Sequence, residues 1–356
     1  MRCIMVGFGR VAETDHLPVY LKKGIEVVAI VDVSTERFSV AKTLLPNCRF
    51  YNDLDTALNN ENVDFCDIAA PPYAHASMVD ACIRHKTPVI CEKPFLTNRD
   101  QLLKVLDTIK EYQSFVFPCH TWLFAPQIIE AFRLINANQF LTPVKLHSEI
   151  LRTAPAKGTL SSNSDWRINP QIAGGGILMD HGYHLLYLAQ ALLQSYPLSV
   201  KVISSQKLMP ESVEFEIEFE LHLASSKSLP LLPKILMAKL TWAAPERSTS
   251  YKLIGEDGTL LIKDATTVLQ TVVSKECRID PEGGLTYSSL HSGWFEKLFD
   301  YFLNSWKAGR LFHDELLRAC YTMEVIWACY ESISQNNSQI TINSNNWLPL
   351  FTTSAT

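Results

Sequence analysis

The sequence of 356 residues contains no run of lysine and arginine, and its formal net charge at pH 7 is −5. Nucleic acids and anionic membranes are bound by clustered positive charge, so neither is expected as a partner. No apolar run approaches the roughly 18 residues that a membrane-spanning helix requires. The apolar start, MRCIMVGFG, has no small-residue cleavage site and runs directly into a glycine turn. We therefore interpret it as a buried strand and not as a signal peptide.

The nine cysteines include no pair with CxxC spacing, which argues against a zinc ribbon or a thioredoxin-like site. Their number is odd and several lie in apolar runs, a pattern typical of buried free thiols in a reducing compartment. We therefore expect a cytoplasmic protein. A G-x-S-x-G segment is also missing, which argues against a serine hydrolase built on a nucleophile elbow.

Short apolar runs alternate with helix-like stretches in the first third of the chain. The predicted strands are Cys3–Val6, Val27–Val31, Asp64–Ala69, Pro88–Cys91 and Phe115–Phe117, and the predicted helices are Ala12–Leu21, Thr35–Leu45, Ala74–His85 and Arg99–Tyr112. Strand–helix alternation at this spacing indicates βαβ units with right-handed crossovers. We therefore predict an α/β protein whose residues 1–121 form a Rossmann domain with a doubly wound parallel sheet.

Residues 122–356 follow a different pattern, which predicts an α+β domain with a large, mostly antiparallel open sheet. The clearest strand is VEFEIEFELHL, where apolar residues alternate with glutamates from position 213 to 223. Such alternation indicates one buried face and one face that is wet or covered by a partner. Other predicted elements are strands Lys145–Leu151, Ile235–Trp242, Tyr251–Gly255, Thr259–Lys263 and Val268–Val273, helices Trp294–Trp306 and Asp314–Ser332, and a hairpin tip or insertion at Ser225–Lys234.

The segment VGFGRVAE follows the first predicted strand and contains G-x-G-x-x-A, formed by Gly7, Gly9 and Ala12. In this pattern the glycines allow a tight turn and a close approach to a pyrophosphate, which the helix N-terminus attracts. Asp32 ends the second strand, 23 residues after Gly9. A carboxylate there accepts hydrogen bonds from ribose hydroxyls and repels a 2′-phosphate, which predicts NAD over NADP. The alternative is a tight turn with a surface aspartate. Predicted cofactor contacts in the turn also include Phe8, Arg10 and Val11.

Two further segments are expected at the carboxyl edge of the parallel sheet, where doubly wound folds bind ligands. The segment APPYAH contributes Ala70, Pro71, Pro72 and His75, and the segment CEKP contributes Glu92 and Lys93. We predict that these residues line the cofactor crevice.

The segment GGGILMDHGYH places Asp180 and His184 four residues apart at the start of a predicted helix, and hence on one face. His181 is expected on another face, so the segment offers too few converging ligands for a metal site. Each polar residue also has a structural interpretation: a solvated Lys93, an Asp180 favoured by the helix dipole, and a His184 satisfied in a core.

Taken together, GFGRVAE, APPYAH, CEKP, DWR and GGGILMDHGYH, in this order, resemble the glucose–fructose oxidoreductase, inositol dehydrogenase and rhizopine-catabolism family. The resemblance continues to GEDGTL and to HSGWFEKLFDYF near the end of the chain. It implies an NAD(P)-dependent oxidoreductase acting on sugars, inositols or related hydroxy compounds. It also implies a homodimer or homotetramer assembled through the C-terminal sheet.

The resemblance implies that Lys93, Asp180 and His184 are the catalytic residues. Hydride removal from a carbinol carbon requires that the hydroxyl proton leave too, and a histidine of near-neutral pKa suits this task. We therefore expect His184 to be the general acid/base, Lys93 to stabilise the developing alkoxide and relay the proton, and Asp180 to orient both. The three glycines are expected to bring this helix close to the nicotinamide.

The sequence also departs from the family pattern. PCHTWLFAP stands where relatives often carry Asn-x-Arg, and Tyr187 stands where an acid commonly follows the catalytic histidine. We predict that His120, Trp122, Trp166 and Arg167 contact the substrate, with a loop histidine and structural packing as the alternatives. Two other functions remain open. One is a glycosidase or epimerase that oxidises its substrate transiently and returns the hydride. The other is a nucleotide-sensing regulator without catalysis.

Overall fold

The computed structural model describes residues 1–136, 143–159, 165–224, 233–256, 258–271, 277–279, 285 and 291–352. No helix in this part of the chain is long and apolar enough to cross a membrane. The cysteines other than Cys277 are free and buried, as predicted.

The N-terminal sheet is parallel and doubly wound, as predicted. Its strands are β1 (Arg2–Val6), β2 (Glu26–Val31), β3 (Arg49–Tyr51), β4 (Phe65–Ile68), β5 (Val89–Cys91) and β6 (Val116–Pro118). They lie in the order β3-β2-β1-β4-β5-β6, so the winding reverses between β1 and β4 at the centre. A ligand crevice is expected at the carboxyl ends of these central strands.

The connections of this sheet are helical. They are α1 (Leu17–Lys22), α2 (Thr35–Leu44), α3 (Leu54–Asn60), α4 (His75–Arg84) and α5 (Arg99–Tyr112), with a π-helical turn at Ala12–His16 before α1 and a 3₁₀ turn at Pro72–Ala74 before α4. Strand β3 and helix α3 were missing from the prediction. Strand β3 has only three residues and none is buried, so it lacks the apolar run on which the prediction depended.

The C-terminal half forms a nine-stranded sheet. The strands are β7 (Lys145–Leu151), β8 (Pro197–Lys207), β9 (Glu214–Leu223), β10 (Lys234–Thr241), β11 (Ser248–Gly255), β12 (Gly258–Lys263), β13 (Thr266–Thr271), β14 (Cys277–Ile279) and β15 (Ile340–Thr341). Their order is β14-β13-β12-β11-β7-β10-β9-β8-β15. Strands β7 and β10 pair in parallel and the other neighbouring pairs are antiparallel, which confirms the predicted mostly antiparallel sheet.

The alternation of β9 holds from Ile217 to Leu223, where the apolar side chains are buried and the others are half-buried. At the start of the strand the pattern is inverted, because Glu214 is buried and Phe215 is not. Strand β8 was missed because irregular pairing with β9 interrupts its period of two. The predicted hairpin tip lies, over 225–232, outside the described residues.

The remaining helices follow or flank this sheet. They are α6 (Pro126–Asn136), α7 (Pro170–Ala173), α8 (Tyr183–Leu192), α9 (Ser292–Lys307), α10 (Asp314–Ser334) and α11 (Leu348–Thr352), with a π-helical turn at Leu178–Gly182 before α8.

Helix α9 lies against the N-terminal sheet although it is far along the chain. Its buried residues Phe295, Leu298, Phe299 and Phe302 belong to the same hydrophobic cluster as residues of β1, α1, β4 and β6. The ring of Phe299 lies 5.1 Å from that of Tyr20 and 5.6 Å from that of Phe65. The predicted boundary between residues 121 and 122 stays a prediction, and α9 packs across it.

Replacing Phe299 by Ala should lower the free energy of unfolding by about 3–5 kcal/mol, because it leaves a cavity between α9 and the N-terminal sheet. Urea titration followed by circular dichroism measures this change. The control is Lys297→Ala, an exposed residue of the same helix, which should change stability by no more than about 0.5 kcal/mol. Equal effects of the two substitutions would contradict the packing of α9.

Candidate active site

The turn after β1 has the geometry of a phosphate-binding loop. Gly7 has a φ of +84°, and a Cβ added to it would lie 2.8 Å from the backbone of Ala70. A Cβ added to Gly9 would meet nothing within 4 Å, so a ligand can approach the backbone at Gly9. No side chain caps the helical turn that begins after Val11, which leaves its N-terminus available to an anion. The loop therefore fits a dinucleotide pyrophosphate.

Asp32 ties this turn to the end of β2. Its Oδ2 accepts a hydrogen bond from the Phe8 N–H at 2.7 Å, and its Oδ1 accepts one from the Ser34 N–H at 2.8 Å. Nearby, the guanidinium of Arg37 donates to the Phe8 carbonyl at 2.6 Å and pairs with Glu13. Arg37 is 7% exposed, so the cation near Asp32 is already engaged within the protein.

The segment after β4 lies beside the glycine turn, where Ala70 faces Gly7. Pro71 precedes the short 3₁₀ turn that Pro72 begins. His75 is fully buried, and its ring nitrogens lie 2.8 Å from the Ala70 carbonyl and 2.9 Å from the Pro94 carbonyl. This placement corrects the predicted cofactor contact of His75, because its ring joins two loops of the crevice through their backbones.

A buried charged cluster beneath the crevice was not predicted. His16 Nδ1 lies 2.8 Å from Asp67 Oδ2, and His16 Nε2 lies 3.4 Å from Glu92 Oε1. Burial lowers the pKa of His16, but Asp67 and Glu92 outweigh it and raise that pKa to about 10. Glu92 also accepts the Lys93 N–H at 2.9 Å. The cluster thus supports the backbone that carries Lys93.

Lys93 and Asp180 meet in the structure, although 87 residues separate them in the sequence. Lys93 Nζ donates to Asp180 Oδ1 at 2.8 Å and to the Asp180 carbonyl at 3.0 Å. Both residues are half-buried. The pair connects the carboxyl edge of the N-terminal sheet to the π-helical turn before α8.

Asp180 has two further cationic or polar neighbours. Arg167 Nε lies 3.7 Å from its Oδ2, and His181 Nδ1 lies 3.3 Å from the same oxygen. Burial raises the pKa of Asp180, but Lys93, His181 and Arg167 outweigh it and hold that pKa well below its usual range. The expectation that His181 faces elsewhere was wrong, because its ring lies beside the Asp180 carboxylate. Among the described residues, no three His, Cys, Asp or Glu side chains are placed to hold a metal ion.

His184 is held by aromatic residues and not by Asp180. Its ring stacks on Trp122, with centroids 4.4 Å apart and an interplanar angle of 15°. Its Nδ1 lies 2.7 Å from the hydroxyl of Tyr187. Burial lowers the pKa of His184, and the Lys93 charge lowers it further. The predicted orienting role of Asp180 therefore applies to Lys93, while Trp122 and Tyr187 orient His184.

Other predicted substrate contacts take different positions. His120 is 1% exposed and pairs with Glu315 of α10, which disagrees with a substrate contact because the ring is enclosed by protein. Arg167 lies at the site, with its guanidinium over the Trp166 ring at 4.3 Å and a hydrogen bond to the Ala156 carbonyl at 3.0 Å. Trp166 and Arg167 thus remain candidates for the pocket wall.

The three glycines before Asp180 make room for other parts of the protein, and the expected approach of this helix to the nicotinamide stays a prediction. A Cβ on Gly175 would lie 2.0 Å from the Tyr330 hydroxyl, and one on Gly176 would lie 1.9 Å from the Glu214 carbonyl oxygen. The carboxylate of Glu214 accepts the N–H groups of Gly176 and Leu178 at 3.0–3.1 Å. This buried glutamate starts β9, so the strand fixes the turn that presents Asp180. No sequence signal predicted this role, because Glu214 follows the same apolar–glutamate alternation as the rest of β9.

Replacing Gly176 by Ala should destabilise the protein by at least about 1–3 kcal/mol, because the methyl group would overlap the backbone of β9. The same substitution should weaken the Lys93–Asp180 pair by displacing the turn. Thermal unfolding measures the loss of stability. Gly293→Ala is the control, since a Cβ there meets nothing within 4 Å, and a similar loss in both variants would contradict the proposed contact.

The His16 cluster should make stability fall at alkaline pH. A folded-state pKa of about 10, against an ordinary value of 6.5, means that His16 contributes fully below pH 6.5 and loses its contribution as the pH rises through 10. Urea unfolding at several pH values measures this slope. His16→Gln should remove much of it, and His147→Gln, at an exposed position, should leave it unchanged. An unchanged slope in His16→Gln would show that the cluster is not charged.

Comparison with known proteins assigns two consecutive parts of the chain to one family. Residues 1–120 match the family model "Oxidoreductase family, NAD-binding Rossmann fold", and residues 128–261 match "GFO/IDH/MocA C-terminal domain". An uncharacterized protein of Saccharomyces cerevisiae is 27% identical over 271 residues, 72% of each chain. An uncharacterized oxidoreductase of Schizosaccharomyces pombe is 26% identical over 65% of this chain and 63% of its own length.

Relatives with named activities match over shorter stretches or by fold. Inositol 2-dehydrogenase of Arthrobacter sp. is 32% identical over 108 residues, which are 30% of this chain and 32% of the relative. The match to this enzyme and to the Schizosaccharomyces pombe protein therefore spans less than two thirds of their length.

The solved structures cover nearly the whole chain. Levoglucosan dehydrogenase in complex with NADH and levoglucosan superposes with a TM-score of 0.81 at 15% identity, covering 97% of this chain and 99% of that chain. An Agrobacterium radiobacter oxidoreductase in complex with NAD⁺, L-tartaric acid and magnesium gives a TM-score of 0.79 at 17% identity, covering 96% and 98%. At these identities the likeness concerns the fold. The two family matches, on a chain with this pair of sheets, show that it belongs to the GFO/IDH/MocA family of oxidoreductases with an NAD-binding Rossmann fold.

Proposed function

We propose that the protein is an NAD-dependent dehydrogenase or reductase of a sugar, an inositol or a related hydroxy compound. The observation that carries the proposal is the ion pair between Lys93 and Asp180, with 2.8 Å between Nζ and Oδ1, at the carboxyl edge of the parallel sheet. It places a fixed ammonium group where a doubly wound sheet binds its ligands. The inositol and levoglucosan dehydrogenases among its relatives support this class of substrate.

The residues around the crevice would hold the dinucleotide as follows. The backbone of the turn from Gly7 to Val11 would bind the pyrophosphate, and Asp32 would bind the adenosine ribose. Ala70, Pro71, Pro72 and Glu92 would form the walls. When bound, NAD supplies the acceptor or donor of the hydride at its nicotinamide ring.

Two observations favour NAD over NADP. The Asp32 carboxylate ends β2 and would repel a 2′-phosphate. The neighbouring Arg37 donates to the Phe8 carbonyl and pairs with Glu13, so it is already neutralised and would not compensate that repulsion.

Residues of the chain stabilise the charge that develops on the substrate oxygen. The Lys93 ammonium stabilises negative charge on that oxygen while the carbon exchanges a hydride, and Asp180 holds Nζ in position. His184 supplies the second polar group, on a ring that Trp122 fixes by stacking. Arg167, which lies 3.7 Å from Asp180, and Trp166, whose ring lies under the Arg167 guanidinium, would bound the pocket and contribute to its specificity.

Assembly through the nine-stranded sheet remains a proposal. Its support is the face of β9 that carries Glu216, Glu218 and Glu220, whose side chains are half-buried in the single chain. Light scattering of the purified protein would distinguish a monomer from the expected dimer or tetramer.

The cytoplasmic location expected from the free thiols stays a prediction.

The purified protein should form NADH, detected at 340 nm, with at least one member of a panel of sugars, inositols and sugar acids, and should prefer NAD to NADP. Lys93→Met should lower kcat/KM by about 10²–10⁴, because it removes the charge that stabilises the developing alkoxide. Lys110→Met, at an exposed position of α5, is the matched control.

Other outcomes would contradict this proposal in distinct ways. Tight NAD binding without turnover of any compound would favour a regulator. Retained NAD and altered products without net NADH would favour transient oxidation with hydride return. A clear preference for NADP would overturn the role of Asp32.

A further inference from the structure

The hydroxyl of Tyr187 lies between two nitrogen atoms. The backbone N–H of Trp122 donates to it at 3.0 Å, and His184 Nδ1 lies 2.7 Å from it on the other side. Tyr187 is fully buried. Its hydroxyl hydrogen has no other hydrogen-bond acceptor within the described part of the chain.

The direction of these bonds follows from what each group can do. A backbone N–H only donates, so the Tyr187 oxygen accepts from Trp122. If His184 Nδ1 also donated to that oxygen, the hydroxyl hydrogen would be buried without an acceptor, which is costly. We infer that Tyr187 donates to His184 Nδ1, so that neutral His184 carries its proton on Nε2.

The second nitrogen of His184 is then a donor, and Lys93 lies near enough to this ring to lower its pKa. Nε2 makes no hydrogen bond to another described residue, and stacking on Trp122 fixes the plane of the ring. Tyr187 is therefore a positioning residue that acts through His184.

Burial and the Lys93 charge keep His184 neutral. The titratable groups that face it are Lys93 from the segment after β5, His291 at the start of α9, and Asp180 and His181 from its own helical segment. Burial lowers the pKa of His184, Lys93, His181 and His291 lower it further, and only Asp180 raises it. Protonation at Nδ1 would also displace the hydrogen that Tyr187 donates.

The consequence for the reaction rests on the proposed function. In the reductive direction, His184 Nε2–H donates a hydrogen bond to the substrate carbonyl oxygen. A bound reduced nicotinamide dinucleotide would supply the hydride to the carbonyl carbon, and Lys93 Nζ would give a proton to the oxygen as the C=O π electrons move onto it. The resulting Lys93 amine regains its proton from water. Lys93 is therefore the proton carrier, in place of the general base first expected at His184.

The first test needs no substrate. In ligand-free protein labelled with ¹⁵N-histidine, His184 should show a pyridine-like shift at Nδ1 and a pyrrole-like shift at Nε2 near neutral pH, with the signals assigned by their loss in His184→Gln. In Tyr187→Glu, a carboxylate would accept Nδ1–H, so the pattern should reverse and the pKa of His184 should rise. Tyr187→Phe, which keeps the ring packing, should remove the bias toward Nε2–H. A pyrrole-like Nδ1 in the wild type would overturn the inference.

The second test separates a donor from a base. His184→Gln keeps an N–H donor and should retain kcat/KM within about tenfold of wild type, whereas His184→Ala should lose distinctly more. The pH profile of kcat/KM should show the same ionisations in wild type and His184→Gln. Equal losses of about 10²–10⁴ in both variants would restore the general base and overturn the donor role. Absence of turnover in the wild type would refute the proposed function, and the NMR result would still decide the tautomer.

Discussion

The ion pair of Lys93 and Asp180 is the interaction on which the site depends, because it joins the edge of the N-terminal sheet to the helical turn before α8. Its geometry is fixed from both sides. On the lysine side, Glu92 accepts the Lys93 N–H and is itself held by buried His16. On the aspartate side, Glu214 accepts the N–H groups of the turn that precedes Asp180. Two carboxylates, Glu92 after β5 and buried Glu214 in β9, thus set the separation of the charged groups, which is the preorganisation that catalysis requires.

The parts of this structure that follow from local chemistry could be predicted from the sequence. The turn of Gly7 and Gly9, the acid at Asp32 and the alternation of β9 each have a local physical cause, and the parallel sheet was predicted from the alternation of strand-like and helix-like segments. The meeting of Lys93 and Asp180 was expected from a family resemblance, since spacing along the chain does not reveal a contact over 87 residues.

The partners of the histidines were the part that could not be predicted. His75, His120 and His16 are buried against a backbone carbonyl, Glu315 and Asp67 respectively, and only the tertiary structure supplies such partners. The position of His181 was likewise mispredicted, since its ring, and not that of His184, lies beside the Asp180 carboxylate. A histidine in the sequence of a nucleotide-binding protein therefore does not by itself indicate a ligand contact. Its hydrogen-bond partners in the folded structure have to be known first.

The position of α9 links the end of the chain to its beginning. Phe295 of this helix stacks on His16 at a centroid distance of 3.6 Å, and the other apolar residues of α9 cover the sheet that carries the glycine turn. A fragment cut after the first sheet would expose an aromatic surface to solvent and remove the ring that shields a buried charge. Nucleotide binding therefore depends on the packing of α9 against the first sheet. The Rossmann domain without α9 should not fold independently.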